Sequence, residues 1–257
     1  MLFTFAGMSA ATTYTAANLK GSYSLLANAY GGAPEQAYVG ILRFDGVNTV
    51  TGSFTGINNG SLDVGTITSG STYTVSANGK GALTANVTST LFGSETVQIV
   101  FTLNSVAASV AHSLQFVWID TPGVDVFLGT ANLVGLSVPA TAARLKGTYG
   151  VSLTWWTTGT QQGEVGTLAF DGKSKVTSAL TIEVAAGTAT SVTGTGTYSV
   201  NSDGSGSMSL TLSNGTTMDF DLVMNSITGT SVAKGIQLLE VDNPISTTVV
   251  TGNAVFE

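Results

Sequence analysis

The chain has 257 residues, of which 43% are hydrophobic and only 9% are charged, against an ordinary charged share of about 25%. The net charge is −7, only eight residues are Lys or Arg, and there is no cysteine. This excludes disulfide and thiol chemistry, leaves no basic run for a nucleic-acid partner, and gives no run of about 18 apolar residues for a transmembrane helix.

The surface must be covered mainly by Thr, Ser, Asn, Gln and Gly. A weakly charged composition of this kind points to an extracellular or cell-surface location. In chain order, the first segment is Met1 to Ala11, which is apolar and ends in small residues. One reading is the tail of a secretory signal, with Ser9 and Ala11 before the cleavage point but no positively charged start. The other is a β-strand formed by Leu2, Phe3, Thr4, Phe5, Ala6, Gly7 and Met8. Residues 1–18 are set apart as this N-terminal segment.

After it the chain repeats itself. Thr15-Ala-Ala-Asn-Leu-Lys-Gly-Ser-Tyr23 returns as Thr141-Ala-Ala-Arg-Leu-Lys-Gly-Thr-Tyr149, and Val39 to Gly46 returns as Val165 to Gly172. Thr72-Tyr73-Thr74-Val75 matches Thr197-Tyr198-Ser199-Val200, and Asp120-Thr-Pro122 matches Asp242-Asn-Pro244. Matches in unbroken order across a whole half mean two diverged copies of one domain. The expected limits are 19–134 and 145–257, with 135–144 as a linker.

Each half reads as a meander of short strands. Leu19, Gly21, Tyr23 and Leu25 alternate with polar residues, as do Met218, Phe220, Leu222 and Met224. Period-2 patterning of this kind buries one face of a strand and wets the other. Between the runs stand Asp45-Gly46, Asn59-Gly60, Asn78-Gly79, Asp171-Gly172, Asp203-Gly204 and Asn214-Gly215, pairs that supply the positive φ of tight hairpin turns. Eight or nine such strands hide their edges by closing into an antiparallel barrel. The fold class is therefore all-β, two tandem antiparallel meander barrels, with β-sandwiches as the alternative.

The order Leu-Lys-Gly-x-Tyr, Phe-Asp-Gly, Thr-Tyr-x-Val and a Gly-x-Gly turn resembles secreted bacterial calycin-like (lipocalin-type) β-barrel domains across most of each half. Gly-x-Tyr, at Tyr23 and Tyr149, replaces the Gly-x-Trp of that pattern. These are turn and core residues, so the resemblance implies a fold, not an activity.

Chemistry-bearing residues are few. His112 is the single histidine; it stands on a strand, its counterpart in the second half is not histidine, and no nucleophile elbow accompanies it. Asp219 and Asp221 share one strand face, opposite the core, and read as a solvated face. Trp155 points to the core by alternation. Trp156 points outward, at the repeat position of Tyr30, which makes Tyr30 and Trp156 candidates for a surface contact. Asn59-Gly-Ser, Asn86-Val-Thr and Asn214-Gly-Thr match the glycosylation pattern, two of them as turns. No catalytic, cofactor-binding or metal-ligating set is expected.

The leading functional expectation is a non-enzymatic extracellular structural protein, a self-assembling fibre or surface-layer subunit. Leu2 to Met8 would pair with another copy of the chain, adding strands head to tail into a homo-oligomer or polymer. The alternative is a lipocalin-like binder of a small apolar ligand or glycan, weakened by the bulky inner residues Tyr23, Phe44, Tyr73, Phe101, Phe116 and Trp118. The third is an outer-membrane barrel; sparse charge and only three Trp argue against a membrane partner.

Overall fold

The computed structural model describes residues 13–30, 36–119, 126–135, 139–157, 160–184, 188–227, 231–242 and 248–257. The first half opens with a 3-10 turn, Ala16–Asn18. Its strands are β1 (Lys20–Tyr30), β2 (Gln36–Asp45), β3 (Val50–Asn58), β4 (Ser61–Ile67), β5 (Thr72–Val75), β6 (Lys80–Ser89), β7 (Gly93–Ala107), β8 (Val110–Ile119) and β9 (Val126–Leu133). A second 3-10 turn, Ala142–Arg144, starts the second half. There β10 (Lys146–Thr157), β11 (Thr160–Asp171), β12 (Lys175–Val184), β13 (Thr188–Val200), β14 (Ser205–Leu212), β15 (Thr217–Asn225), β16 (Gly235–Glu240) and β17 (Thr248–Phe256) follow.

All pairings are antiparallel, and both halves close. In the second barrel β10 carries β11 on one side and β17 on the other. In the first, β1 lies between β2 and β9, and β4 and β5 together fill one place beside β6. The ladder there steps from Ile67↔Val87 to Thr72↔Thr84, a longer run on one strand than on the other. Ser71 Oγ accepts from Asn86 N at 2.9 Å across the break, and Thr68 N donates to Asn86 O at 2.8 Å. Backbone groups at the bulge are thus satisfied although the regular ladder is interrupted.

The architecture is the expected barrel, not a sandwich. Leu2 to Met8 lie outside the described residues. Tyr30 and Trp156 are placed by their backbones: Tyr30 pairs with Val126, and Trp156 pairs with Gln161 and Val249.

The repeated motifs explain one end of each barrel, the end where β1 and β10 begin, here the lower end. Gly21 and Gly147 of Leu-Lys-Gly-x-Tyr have φ of +109° and +108°, a conformation closed to other residues at low cost. They turn the strand so that Tyr23 and Tyr149 point inward, both fully buried. Tyr23 Oη donates to Ala111 O at 2.7 Å and Tyr149 Oη to Ala233 O at 2.8 Å. Tyr73 Oη and Tyr198 Oη each donate at 2.9 Å, to Leu19 O and Leu145 O. Phe44 lies edge-on between Tyr23 and Tyr73, as Phe170 does between Tyr149 and Tyr198, with centroids 5.0–5.5 Å apart.

The Asp-Gly pairs are turn residues, as their sequence suggests. Asp45 Oδ1 accepts from the amides of Val47, Asn48 and Thr49 at 2.7–2.9 Å. Asp171 Oδ1 accepts from Lys173, Ser174 and Lys175 at 2.7–3.0 Å. These amides hold the Asp45 carboxyl down near 2 and lower that of Asp171 also.

The two barrels lie side by side with their lower ends together. Ala37, Val39 and Ile41 on the outer face of β2 bury against Val223, Leu239 and Val249 of the second barrel, with Ile57 beside them. Arg43 Nη2 meets Asp203 Oδ2 at 2.7 Å near the lower rim. Ser226 N and Ile227 N donate to Leu133 O and Val134 O at 2.8 and 2.9 Å. Strands β2 and β16 are therefore buried on both faces, and their sequences, VGILRF and GIQLLE, lose the simple alternation seen elsewhere. Asp219 and Asp221 do share one face, but it is half-buried and not fully solvated, because the neighbouring outward residue Val223 is part of this contact.

Removing either lower-end hydroxyl orphans a buried carbonyl. Tyr23→Phe and Tyr149→Phe are each expected to cost about 1–2 kcal/mol, read as matched drops in urea midpoint. A null effect at both would show that these hydroxyls do not hold the lower ends.

Candidate functional site

The upper ends of the two barrels differ inside, although they are built from equivalent strands. In the first barrel, Tyr38 of β2, Phe54 of β3, Trp118 of β8 and Phe127 of β9 meet there. The Trp118 and Phe127 rings stack at 4.5 Å, and Tyr38 lies 5.6–5.9 Å from Phe54, Trp118 and Phe127. Beneath them is an apolar space of about 50 Å³ bordered by Leu25, Ala27, Leu42, Leu83, Ala85 and Val97 among others. Asp63 and Glu95 reach its rim. Asp63 is buried and its Oδ1 accepts from Leu91 N at 3.0 Å and Thr90 Oγ1 at 3.1 Å. The hairpin that supplies these donors also carries Leu91 and Phe92, both exposed.

In the second barrel two of the four matching positions are carboxylates. Glu164 pairs with Leu153, whose side chain faces the core, so Glu164 faces inward too. Glu240 pairs with Phe220 and also faces inward. By the repeat, Glu164 stands where Tyr38 stands in the first half, and Glu240 where Trp118 stands. Glu164 is 1% exposed and neither carboxylate oxygen has a hydrogen-bond partner. Trp155, on the same face of β10 as Leu153 and half-buried, has its indole N–H buried without an acceptor.

Burying a charge without a partner is costly, and the group responds by holding its proton. Burial pushes the Glu164 carboxyl up to about 7. Burial pushes Glu240 up to about 8, helped by the charge of Asp242 and a hydrogen bond with it, then by the charges of Glu164 and Asp219. Among the described residues no group of three or more His, Cys, Asp and Glu is placed to hold a metal ion.

The chain matches no family model and no curated protein.

His112, the single histidine, is exposed on β8, remote from both upper interiors. Tyr30 and Trp156 stand at the upper ends of β1 and β10, but their side chains lie outside what is described. Trp155 does face the core, as alternation suggested, and packs against it. The two residues that sequence reading passed over are Glu164 and Glu240. The signal was present in the repeat itself: a charged residue in one copy at the position of a large aromatic in the other.

A buried carboxyl raised in this way stabilises the fold only while protonated. In the unfolded chain it releases its proton near 4.5, so the folded state binds more protons from there up to about 8. Stability must therefore fall as pH rises through that window and level off above it. Urea midpoints at pH 5, 7 and 9 should decrease in that order, and Glu164→Gln with Glu240→Gln should flatten the series. Equal slopes in variant and wild type would show that other groups set the pH dependence.

Proposed function

We propose that the protein is a non-enzymatic, lipocalin-like binding protein of the extracellular space or cell surface, and that the first barrel takes a small apolar or aromatic ligand at its upper end. The observation that carries this reading is where the two copies agree and where they part. The lower ends retain the same tyrosines, phenylalanine, aspartate turn and glycine. The upper interiors have diverged: Tyr38 and Trp118 of the first barrel are replaced by Glu164 and Glu240 in the second. A purely structural duplication has no reason to vary its interior at one end only, whereas a binding scaffold keeps the frame and changes the receptacle.

The size of the space limits the ligand. An interior volume of about 50 Å³ is a third of the roughly 150 Å³ in which a benzene ring binds, so a single small ring enters only as the aromatic side chains above it swing aside, and a fatty acid or a haem does not fit. Most of each barrel bore is filled by its own side chains.

Self-association is the second reading, and one observation favours it. All eight Lys and Arg stand on the lower halves of the barrels: Lys20, Arg43, Lys80, Arg144, Lys146, Lys173, Lys175 and Lys234. The lower ends also carry Asp45, Asp171, Asp203 and Glu257 and are net positive, whereas Asp63, Glu95, Glu164, Asp219, Glu240 and Asp242 stand at the upper ends, where no Lys or Arg is placed. Copies stacked head to tail would bring opposite charges together. Addition of a strand to β17 has no free edge to use, since β17 lies between β10 and β16; end-to-end stacking is the form of assembly that fits. A membrane-spanning barrel fits poorly, because both apolar cores lie inside the barrels, the reverse of what lipid requires.

Toluene tests the first reading. Titration followed by methyl NMR should shift Leu42, Leu83 and Val97, and Ala85→Phe, which fills the space, should abolish the shifts. Toluene shifts that persist in Ala85→Phe, or that fall only on the outer strand faces, would transfer the proposal to self-association. In that case sedimentation should show a mass that grows with concentration and shrinks with added salt.

A further inference from the structure

Glu164 and Glu240 are on strands separated in the second barrel by β10 and β17. Register sets them close along the bore: Trp155 pairs with Val250, and Leu239 with Thr251, which puts Glu240 level with Val250 and Trp155. Glu164, paired with Leu153, lies one inward step below. Glu240 is only 9% exposed and Glu164 only 1%.

None of the eight cationic side chains reaches this end of the barrel. Glu164 offers both oxygens without a donor, Trp155 offers an aromatic ring in the same interior, and Asp242 stands next to Glu240 at the rim.

We propose that the upper end of the second barrel binds a primary ammonium ion carrying a short apolar tail, with Glu164 and Glu240 as its carboxylate partners and Trp155 as its aromatic wall. An ammonium group has three N–H donors and no acceptor, which answers carboxylate oxygens that lack donors. A desolvated cation beside an indole gains further by cation–π attraction. A divalent metal fits less well, because calcium takes six to eight oxygens and magnesium near-octahedral geometry, and even with Asp242 nearby no group of three or more His, Cys, Asp and Glu among the described residues is placed to hold a metal ion. An uncharged ligand would leave both oxygens of the buried Glu164 unanswered. The ion enters as the carboxyls give up their protons, so affinity rises with pH until the amine itself loses its proton near 10.4.

This site stands apart from the apolar space of the first barrel, and one sample can report on both. The probe is n-propylammonium, with n-propanol as its uncharged counterpart and calcium as the competing cation. Binding to the full chain is followed at pH 8.5 by the indole N–H resonance of Trp155 and by calorimetry. Propylammonium should give a saturable shift, propanol none, and the affinity should fall at least tenfold at pH 6. Glu164→Gln and Glu240→Gln should each weaken binding tenfold or more. Both are close to isosteric and remove a buried charge, so their urea midpoints at pH 8.5 should hold or rise, which separates lost binding from lost folding. The toluene shifts of the first barrel should be unchanged in both. Equal response to propanol, saturation by calcium but not by propylammonium, or unaltered affinity in Glu164→Gln would each overturn the proposal.

Discussion

Everything in this molecule depends on the backbone ladder that returns from the last strand of each half to its first. A sheet of short Thr- and Val-rich strands with so little charge has few means of protecting an edge. Closure removes the edges: β9 comes back onto β1 through eight residue pairs from Tyr23↔Leu133 to Tyr30↔Val126, and β17 onto β10 from Tyr149↔Phe256 to Thr157↔Thr248. Once closed, the inner faces form two separate apolar cores and the outer faces are free to be polar. The tyrosines at the lower ends are then stable there, because every ring packs on a phenylalanine and every hydroxyl finds a carbonyl: Tyr73 and Tyr198 at the end of the 3-10 turn, Tyr23 on Ala111 of β8 and Tyr149 on Ala233.

The fold was legible because two independent signals agreed. Alternation gave strands, and the Asp-Gly and Asn-Gly pairs gave the hairpins. Repetition at a fixed offset showed that the whole arrangement occurs twice. What alternation could not show was the packing of one barrel on the other. Val39, Ile41 and Leu239 are apolar on the face that alternation assigns to solvent, and a pattern of two faces contains no term for a third surface. For the same reason Asp219 and Asp221 read as fully wet when their neighbour Val223 is buried.

The candidate site was legible only in part. Trp155 was placed correctly, because alternation decides a side chain's direction. Glu164 sits in Gln-Gly-Glu-Val-Gly, where the apolar Val165 faces out and the carboxylate faces in, the reverse of what alternation expects. Glu240 ends a run buried on both faces, so period-2 reasoning had nothing to work with there. Only superposing one copy on the other exposes them, as carboxylates in place of Tyr38 and Trp118. Tertiary context, not local pattern, makes those two positions unusual.

The double burial of β2 has a consequence for synthesis. The first barrel can close once β9 has left the ribosome, since all its ladders are then available. Its outer strip of Ala37, Val39 and Ile41 still has no cover, because Val223, Leu239 and Val249 belong to the second half and are made later. For the whole time that the second half is being translated, a finished domain presents a bare apolar strip. Such transiently exposed surface is where chains of this kind misassociate. A second nascent copy at the same stage offers an identical strip, so the interval before β16 arrives is when two molecules compete with one for the same contact.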